Sequence, residues 1–501
     1  MSEPSPVGTP QRSEAGYNLG YRFLRLFADI RHGEAGKALL LGANVFLILM
    51  AYYILKPLRE ALILVDKDAP VIKSCLSGAQ AVLFVFVIKA FSRLASKVPR
   101  HVLITWTTSF FISNLVIFYF LNLGGMAIKP MGIMFFIWIG IFNYFVVAQF
   151  WGFANDLYSD DVGRRTFPLV ALGATLGGFV ATLPIMRQLR DLLGGRWEYK
   201  LMLIAGAILL LCIGLARFIH RREVRRTHAD LEKGLFGAAE IAKIQEQPLK
   251  AGGGFRLIFK SRYLLLIALM IGLYNFVNAT GEFIITKVIN EQSLASQAPK
   301  PAAAGPQQPA VMSGGQSTDA VPPAASPAVP TKTDTKYVHS AFMNYQFLGN
   351  LIALIFQLFL VSRIFKWVGI GGALLFLPLI ALGGYALISF GAVLVLVRWV
   401  KAFENGTDYS LQNTTKAALF LVTKREEKYK AKAAIDTFFV RGGDTLSALA
   451  VVIGTQLLGL RIERFALLNV AVVMVMIVIC LRIIKSYKTR KAASGAAAAE
   501  A

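Results

Sequence analysis

A chain of 501 residues that is 55% hydrophobic and only 16% charged cannot hide its apolar surface as a water-soluble globule. Its formal net charge of +24 comes from 53 Lys+Arg against 29 Asp+Glu. Most of that excess lies in short segments between apolar runs, where membrane proteins keep their cytoplasmic cations, so nucleic acid is not an expected partner.

Residues 1 to about 16 are rich in Pro and Ser and are expected to be disordered. The stretch 17–31 sets Leu19, Phe23, Leu26, Phe27 and Ile30 at helical spacing beside Arg22, Arg25 and Arg31, the pattern of a helix lying in a membrane surface. No signal peptide precedes the first apolar run, which predicts a cytoplasmic N-terminus. A spanning helix needs roughly 20 apolar residues. Such runs predict spans near 38–57, 71–91, 101–122, 130–154, 166–186, 199–217, 263–284, 338–361, 369–388, 391–409, 433–458 and 464–484. The expected fold is therefore an all-α polytopic membrane protein of about twelve transmembrane helices. An even number puts both termini on one side. The clusters Arg93, Lys97 and Arg100, Arg164 and Arg165, Arg221 to Arg226, Arg363 and Lys366, Lys424 to Lys432 and Lys485 to Lys491 fall on that same face, which the positive-inside rule makes cytoplasmic. Arg187, Arg190, Arg196 and Lys200 fit this topology poorly, since they would lie outside.

The expected organisation is a cytoplasmic tail with its amphipathic helix (1–37), a first six-helix bundle (38–217), a basic cytoplasmic linker (218–262), a second six-helix bundle (263–484) and a C-terminal tail (485–501). Within the second bundle, 291–336 is Ala-, Pro-, Ser- and Gln-rich and is expected to be a disordered external loop. Cys75, Cys212 and Cys480 are far apart and carry no metal-ligand spacing, so neither a metal site, a disulfide nor a cofactor is expected. A weak internal repeat supports two equivalent halves. The segment beginning at Phe91 (Phe-Ser-Arg-Leu) resembles that at Val361 (Val-Ser-Arg-Ile), and Phe-Ala-Asn-Asp-Leu-Tyr-Ser at 153 resembles Phe-Glu-Asn-Gly-Thr-Asp-Tyr-Ser at 403. Parallel six-helix halves around a central cavity are the architecture of the major facilitator superfamily.

Charged side chains inside a bilayer cost roughly 2.5 to 3.5 kcal/mol each, so those within the spans are candidates for function. Lys56, Arg59 and Glu60 share one helical face at the end of span one. They form either an interfacial cluster whose lysine snorkels or a contact for a polyanion, with Arg as a planar fork and Lys as a point charge. Asp156, Asp160 and Asp161 with Arg164 and Arg165 at the end of span four read as a gate network that breaks and reforms between states. The small residues Gly173, Gly177 and Gly178 of span five allow close helix packing. Span seven carries a stripe of Asn275, Asn278 and Glu282. Span ten carries Arg398, Lys401, Glu404 and Asn405, which must face a cavity or a partner helix. Around span eleven, Lys424, Arg425 and Lys428 are expected in a solvated loop, Lys432 as a binding cation, and Asp436 and Arg441 as residues that pair across helices.

The segments Tyr53-Ile-Leu-Lys-Pro-Leu-Arg-Glu, Phe150-Trp-Gly-Phe-Ala-Asn-Asp with the later Arg165-Thr-Phe-Pro-Leu-Val-Ala-Leu-Gly-Ala, and Lys430-Ala-Lys-Ala-Ala-Ile-Asp-Thr resemble the ADP,ATP carrier proteins, nucleotide transporters of plastids and intracellular bacteria. Order and spacing match from about 35 to 485. The resemblance implies a major facilitator fold, exchange of ATP for ADP or nucleotide import without hydrolysis, and a cavity lysine at Lys56. Beside it, Tyr53, Arg59, Asn155, Asn278, Glu282, Arg398, Lys401, Asn405, Lys432 and Arg441 are the candidate binding residues, and Tyr52, Tyr53, Tyr274 and Asn278 could recognise a base by stacking or amide hydrogen bonds. Glu60, Asp156, Asp160, Arg164, Arg165 and Asp436 are then gating residues. Departures from the pattern concern substrate. No Asp or Glu occurs from Met131 to Gln149, Asn278 and Asp408 stand where Glu and Lys are expected, and Ala417 stands where Glu is expected. The alternative is a carrier of another anionic or zwitterionic solute. A membrane enzyme built on Asp156, Asp160 and Asp161 is disfavoured, because no second carboxylate set or Ser/His constellation accompanies them. The expected setting is the bacterial plasma membrane, with a monomer in the lipid bilayer.

Overall fold

The computed structural model describes residues 34–95, 98, 100–158, 160–232, 254–297, 332–423, 427 and 431–499. The expected surface helix at 17–31, residues 233–253 of the basic linker, the Ala/Pro-rich stretch 298–331 and the cations Lys424, Arg425 and Lys428 lie outside the described residues.

The described chain is helical almost throughout. The first half comprises α1 (Ala35–Ile63), α2 (Ala69–Ala95), α3 (Arg100–Leu123), α4 (Ile128–Leu157), α5 (Asp160–Ala181), a short α6 (Ile185–Leu193) and α7 (Trp197–Glu232). After α8 (Gly254–Lys260), the second half comprises α9 (Arg262–Ser296), α10 (Thr335–Ile355), α11 (Val361–Phe390), α12 (Leu394–Thr407), α13 (Asn413–Leu419), α14 (Lys432–Ala434), α15 (Val440–Val452) and α16 (Ile462–Ala499). Among the described residues eight helices are long and apolar enough to cross a membrane, or nine with the bent pair Thr166–Ala181 and Ile185–Leu193 counted as one. One of the eight, Thr335–Phe390, is interrupted at Gly369, whose φ of +65° turns the chain where the sequence places the loop between spans eight and nine. Large apolar side chains such as Phe86, Phe110, Phe120, Leu210, Leu379 and Val478 are exposed, which a lipid-facing surface tolerates and a water-facing one does not.

Small residues set the packing within each half. In α5, a Cβ on Gly173 would strike the backbone of Gly42 in α1, and one on Gly177 would strike that of Phe46. In the second half, a Cβ on Gly443 of α15 would strike the backbone carbonyl of Gly272 in α9. The same close crossing thus occurs between the first and fifth expected spans of each half, as parallel repeats require.

Two boundaries differ from expectation. Helix α1 runs on to Ile63, so Lys56 sits seven residues, about 10 Å of rise, inside its end. Helix α9 continues through Glu291 to Ser296, because apolar contacts persist beyond the last hydrophobic run: Val288, Ile289 and Ser293 are buried. Pro57 within α1 removes one backbone donor and leaves the Tyr53 carbonyl without its helical partner.

Candidate functional site

At one end of the helices the two halves are tied together. The Thr333 amide donates to the Val65 carbonyl at 3.2 Å, and its hydroxyl donates to the Leu64 carbonyl. The Asn290 side chain donates to the Asp66 carbonyl at 3.0 Å, while the Asp66 carboxylate holds Lys129 at 2.7 Å. Arg190 donates to the Ser340 hydroxyl at 2.6 Å and to the Lys336 carbonyl at 3.2 Å, and Arg187 donates to Asn344. These contacts engage two of the four cations that fit the sequence topology poorly. Lower down, Asn350 donates to the Gly178 carbonyl at 3.0 Å and Thr175 to Gln357 at 2.8 Å, so α5 and α10 stay in contact.

Beneath this seal lies a cavity of about 270 Å³, walled by α1, α2 and α4 from the first half and by α9, Tyr409 and α15 from the second. Four cations line it: Lys56 and Arg59 from α1, Lys73 from α2 and Arg441 from α15. Glu282 and Asp444 are its carboxylates, and Ser77, Gln80, Asn143, Asn278 and Ser447 supply neutral hydrogen-bonding groups. Glu60 lies behind the wall, 1% exposed, with Lys73 at 2.7 Å on one carboxylate oxygen and Arg59 on the other. Lys73 also donates to the Thr286 hydroxyl at 2.8 Å. Arg441 pairs with Asp444 at 3.1 Å and lies 4.4 Å from the Phe84 ring centre. The Lys56 ammonium sits 5.4 Å over the Tyr53 ring, and among the described residues no carboxylate pairs with it.

A buried polar network backs the second-half wall. Lys401, with no exposed surface, pairs with Glu404 at 2.9 Å and donates to the Asn278 side chain at 3.0 Å. The Tyr385 hydroxyl donates to Glu404 at 2.7 Å. Glu282 accepts from Tyr345 at 2.5 Å and from Asn405 at 3.3 Å, and Asn405 also donates to the Tyr345 oxygen. Asn278 and Glu282 therefore reach the cavity while anchored from behind.

Of the residues singled out by sequence, Lys56, Arg59, Asn278, Glu282 and Arg441 come together on the cavity. Lys401 and Asn405 do not reach its surface: they are buried against α9 and α10, the partner-helix option for that stripe. Arg398 lies on the same helix outside the cavity, its Nε buried without a partner among the described residues. Tyr53 is buried beside Gly178, and its neighbour Tyr52 lines the cavity instead. Asp436 does not pair across helices, because Lys432 stands one turn away on the same helix at 2.7 Å, in an exposed pair that is not part of the cavity lining. Arg441 likewise takes its partner from its own helix. Glu60 is a buried counter-charge for two cavity cations. Asn155, Asp156, Asp160, Asp161, Arg164 and Arg165 have side chains outside the described set. Lys73 escapes the sequence reading, although a lysine opening an apolar run carries the same signal as Lys56.

Solved structures with this arrangement are membrane transporters. The nucleoside transporter NupG superposes with a TM-score of 0.54 at 12% identity, covering 90% of this chain and 99% of that one. A bacterial homolog of the human lysosomal transporter Spinster, in an inward-facing and unoccupied conformation, gives 0.51 at 11% identity, covering 92% and 99%. Two helical halves meeting at a charged cavity, with eight helices long and apolar enough to span a membrane among the described residues, give the chain the fold of these transporters. Residues 130–292 match the family described as TLC ATP/ADP transporter. ADP,ATP carrier protein 1 of Chlamydia trachomatis serovar D is 25% identical over 391 residues, 70% of this chain, and that of Chlamydia muridarum is 24% identical over 479 residues, 83% of it. The aligned chain spans 64% of the first relative's length and 81% of the second's. These matches, with the motifs in spans one, four, five and eleven, make the chain similar to ADP,ATP carrier proteins.

Proposed function

We propose that this chain moves nucleotides across a membrane by alternating access, either exchanging ATP for ADP or importing nucleotides, without chemical change to the cargo. The observation that carries the reading is the meeting of Lys56, Arg59, Lys73 and Arg441 on one cavity between the halves. Lysine and arginine in that setting suit phosphate oxygens, the first as a point charge and the second as a fork. Tyr52 from the first half and Tyr409 from the second line the same cavity and can stack on a base.

Cargo entering from the end opposite Asp66 would engage these groups. A rocking of one half against the other would then break the Thr333, Asn290 and Arg190 contacts and open the Asp66 end. Twelve spans, with both termini and the basic clusters in the cytoplasm, make the Asp66 end external. In this reading the carrier works as a monomer in a bacterial plasma membrane. Transport of another anionic or zwitterionic solute is the second reading, favoured by Asn278 where the related exchangers carry Glu. Uptake of labelled ATP and ADP into liposomes containing the purified protein separates the two. Saturable uptake that depends on the protein supports nucleotide carriage; flux of another anion with none of any nucleotide rejects it.

A further inference from the structure

The cavity's charges are mostly spoken for before any cargo arrives. Arg59 and Lys73 both pair with Glu60, and Arg441 pairs with Asp444. Among the described residues, Lys56 is the lining cation without a carboxylate partner. Among the described residues Glu282 is the lining carboxylate with no cation in ion-pair contact, held instead by the neutral donors Tyr345 and Asn405. Counting Lys56, Arg59, Lys73 and Arg441 against Glu60, Glu282 and Asp444 leaves a formal charge of +1 (four minus three). Behind the wall, Lys401 and Glu404 cancel.

A cargo closed into this space brings its own charge into a low dielectric, where every uncompensated charge is penalised. A nucleoside monophosphate brings about two negative charges at pH 7. Each further phosphoryl group brings at least one more. Extra phosphates would have to share Arg59, Lys73 or Arg441 with Glu60 or Asp444, through N–H donors these cations keep beyond their carboxylate pairs, and each shared cation would then hold two anions side by side in a buried place. Glu282 meanwhile offers an acceptor to a donor group such as the amino group of a base, and it repels a second or third phosphate.

Resting on the nucleotide reading, we propose that this cavity is built for cargo of low negative charge, with one phosphate on Lys56 and a hydrogen-bond donor on Glu282, so that nucleoside monophosphates are preferred over triphosphates. Equilibrium binding of labelled AMP, ADP and ATP to the full chain in lipid nanodiscs, free of divalent cations, tests it. AMP is expected to bind at least tenfold more tightly than ATP, with ADP between. Glu282→Gln raises the cavity charge to +2 and should narrow that ratio at least threefold. Asn278→Asp lowers the charge to zero, should widen the ratio, and serves where the first variant does not insert. ATP binding as tightly as AMP in the wild type would overturn the proposal, as would an AMP preference that neither variant moves. Binding of none of the three at millimolar concentration would instead reject the nucleotide reading itself.

Discussion

Replacing Lys56 with alanine is expected to weaken nucleotide binding about 10- to 150-fold and to reduce uptake at limiting substrate in proportion. The protein should still insert and unfold as the wild type does. The range follows from a hydrogen bond to a charged partner, worth about 1.5 to 3 kcal/mol, at about 1.4 kcal/mol per tenfold change in affinity. Fold stability should be spared because, among the described residues, Lys56 has no carboxylate in ion-pair contact to abandon: its near neighbour is the face of Tyr53, 5.4 Å away. Arg59 and Lys73 make the contrast, since removing either unbalances Glu60, so their variants should lose stability together with binding. Titration of each purified variant with labelled nucleotide, beside its thermal unfolding curve, distinguishes the cases. A Lys56→Ala protein that binds at wild-type affinity would mean that this ammonium does not touch the cargo.

The second large effect is on stability. Lys401 and Glu404 have no exposed surface and stand one turn apart at 2.9 Å; Tyr385 donates to the same Glu404 oxygen and Asn278 accepts from Lys401. Truncating one member leaves the other charged and unpaired in the interior, at a cost of about 3 to 5 kcal/mol, whereas replacing both by apolar residues of similar volume removes the penalty. Lys401→Ala and Glu404→Ala are therefore each expected to unfold at clearly lower temperature in detergent. The double variant Lys401→Met/Glu404→Leu should recover most of the loss. Its transport should still be impaired, because Asn278 then loses the donor that orients it toward the cavity. Wild-type unfolding of either single variant would show that the pair contributes nothing to the fold.

Much of this arrangement could be read from residue order. Apolar runs place the spans, Gly173 and Gly177 announce the tight crossing of α1 and α5, and the i, i+3 spacing of Lys401 and Glu404 already contains their ion pair. Orientation is where periodicity stops. A helical stripe says which residues share a face and not whether that face meets a cavity or another helix, so Lys401 and Asn405 looked equivalent to Asn278 and Glu282. Only the packing of α9 against α10 and α12 separates them. Lys73 was missed because one lysine opening an apolar run resembles an interfacial anchor until the chain is folded and Glu60 arrives from α1. For Asp436 the local partner prevails over one on another helix, since Lys432 four residues before it is close enough to satisfy it.

The central claim, that nucleotide passes through the cavity between the halves, is tested most directly at Ser77, which lines that cavity on α2. In a background where Cys75, Cys212 and Cys480 are replaced, a Ser77→Cys protein in sealed vesicles can be treated with a small membrane-impermeant thiol reagent from either side. The account predicts modification from both sides during turnover and slower modification as nucleotide saturates the site. Modification at an unchanged rate under saturating nucleotide, while uptake proceeds, would contradict it.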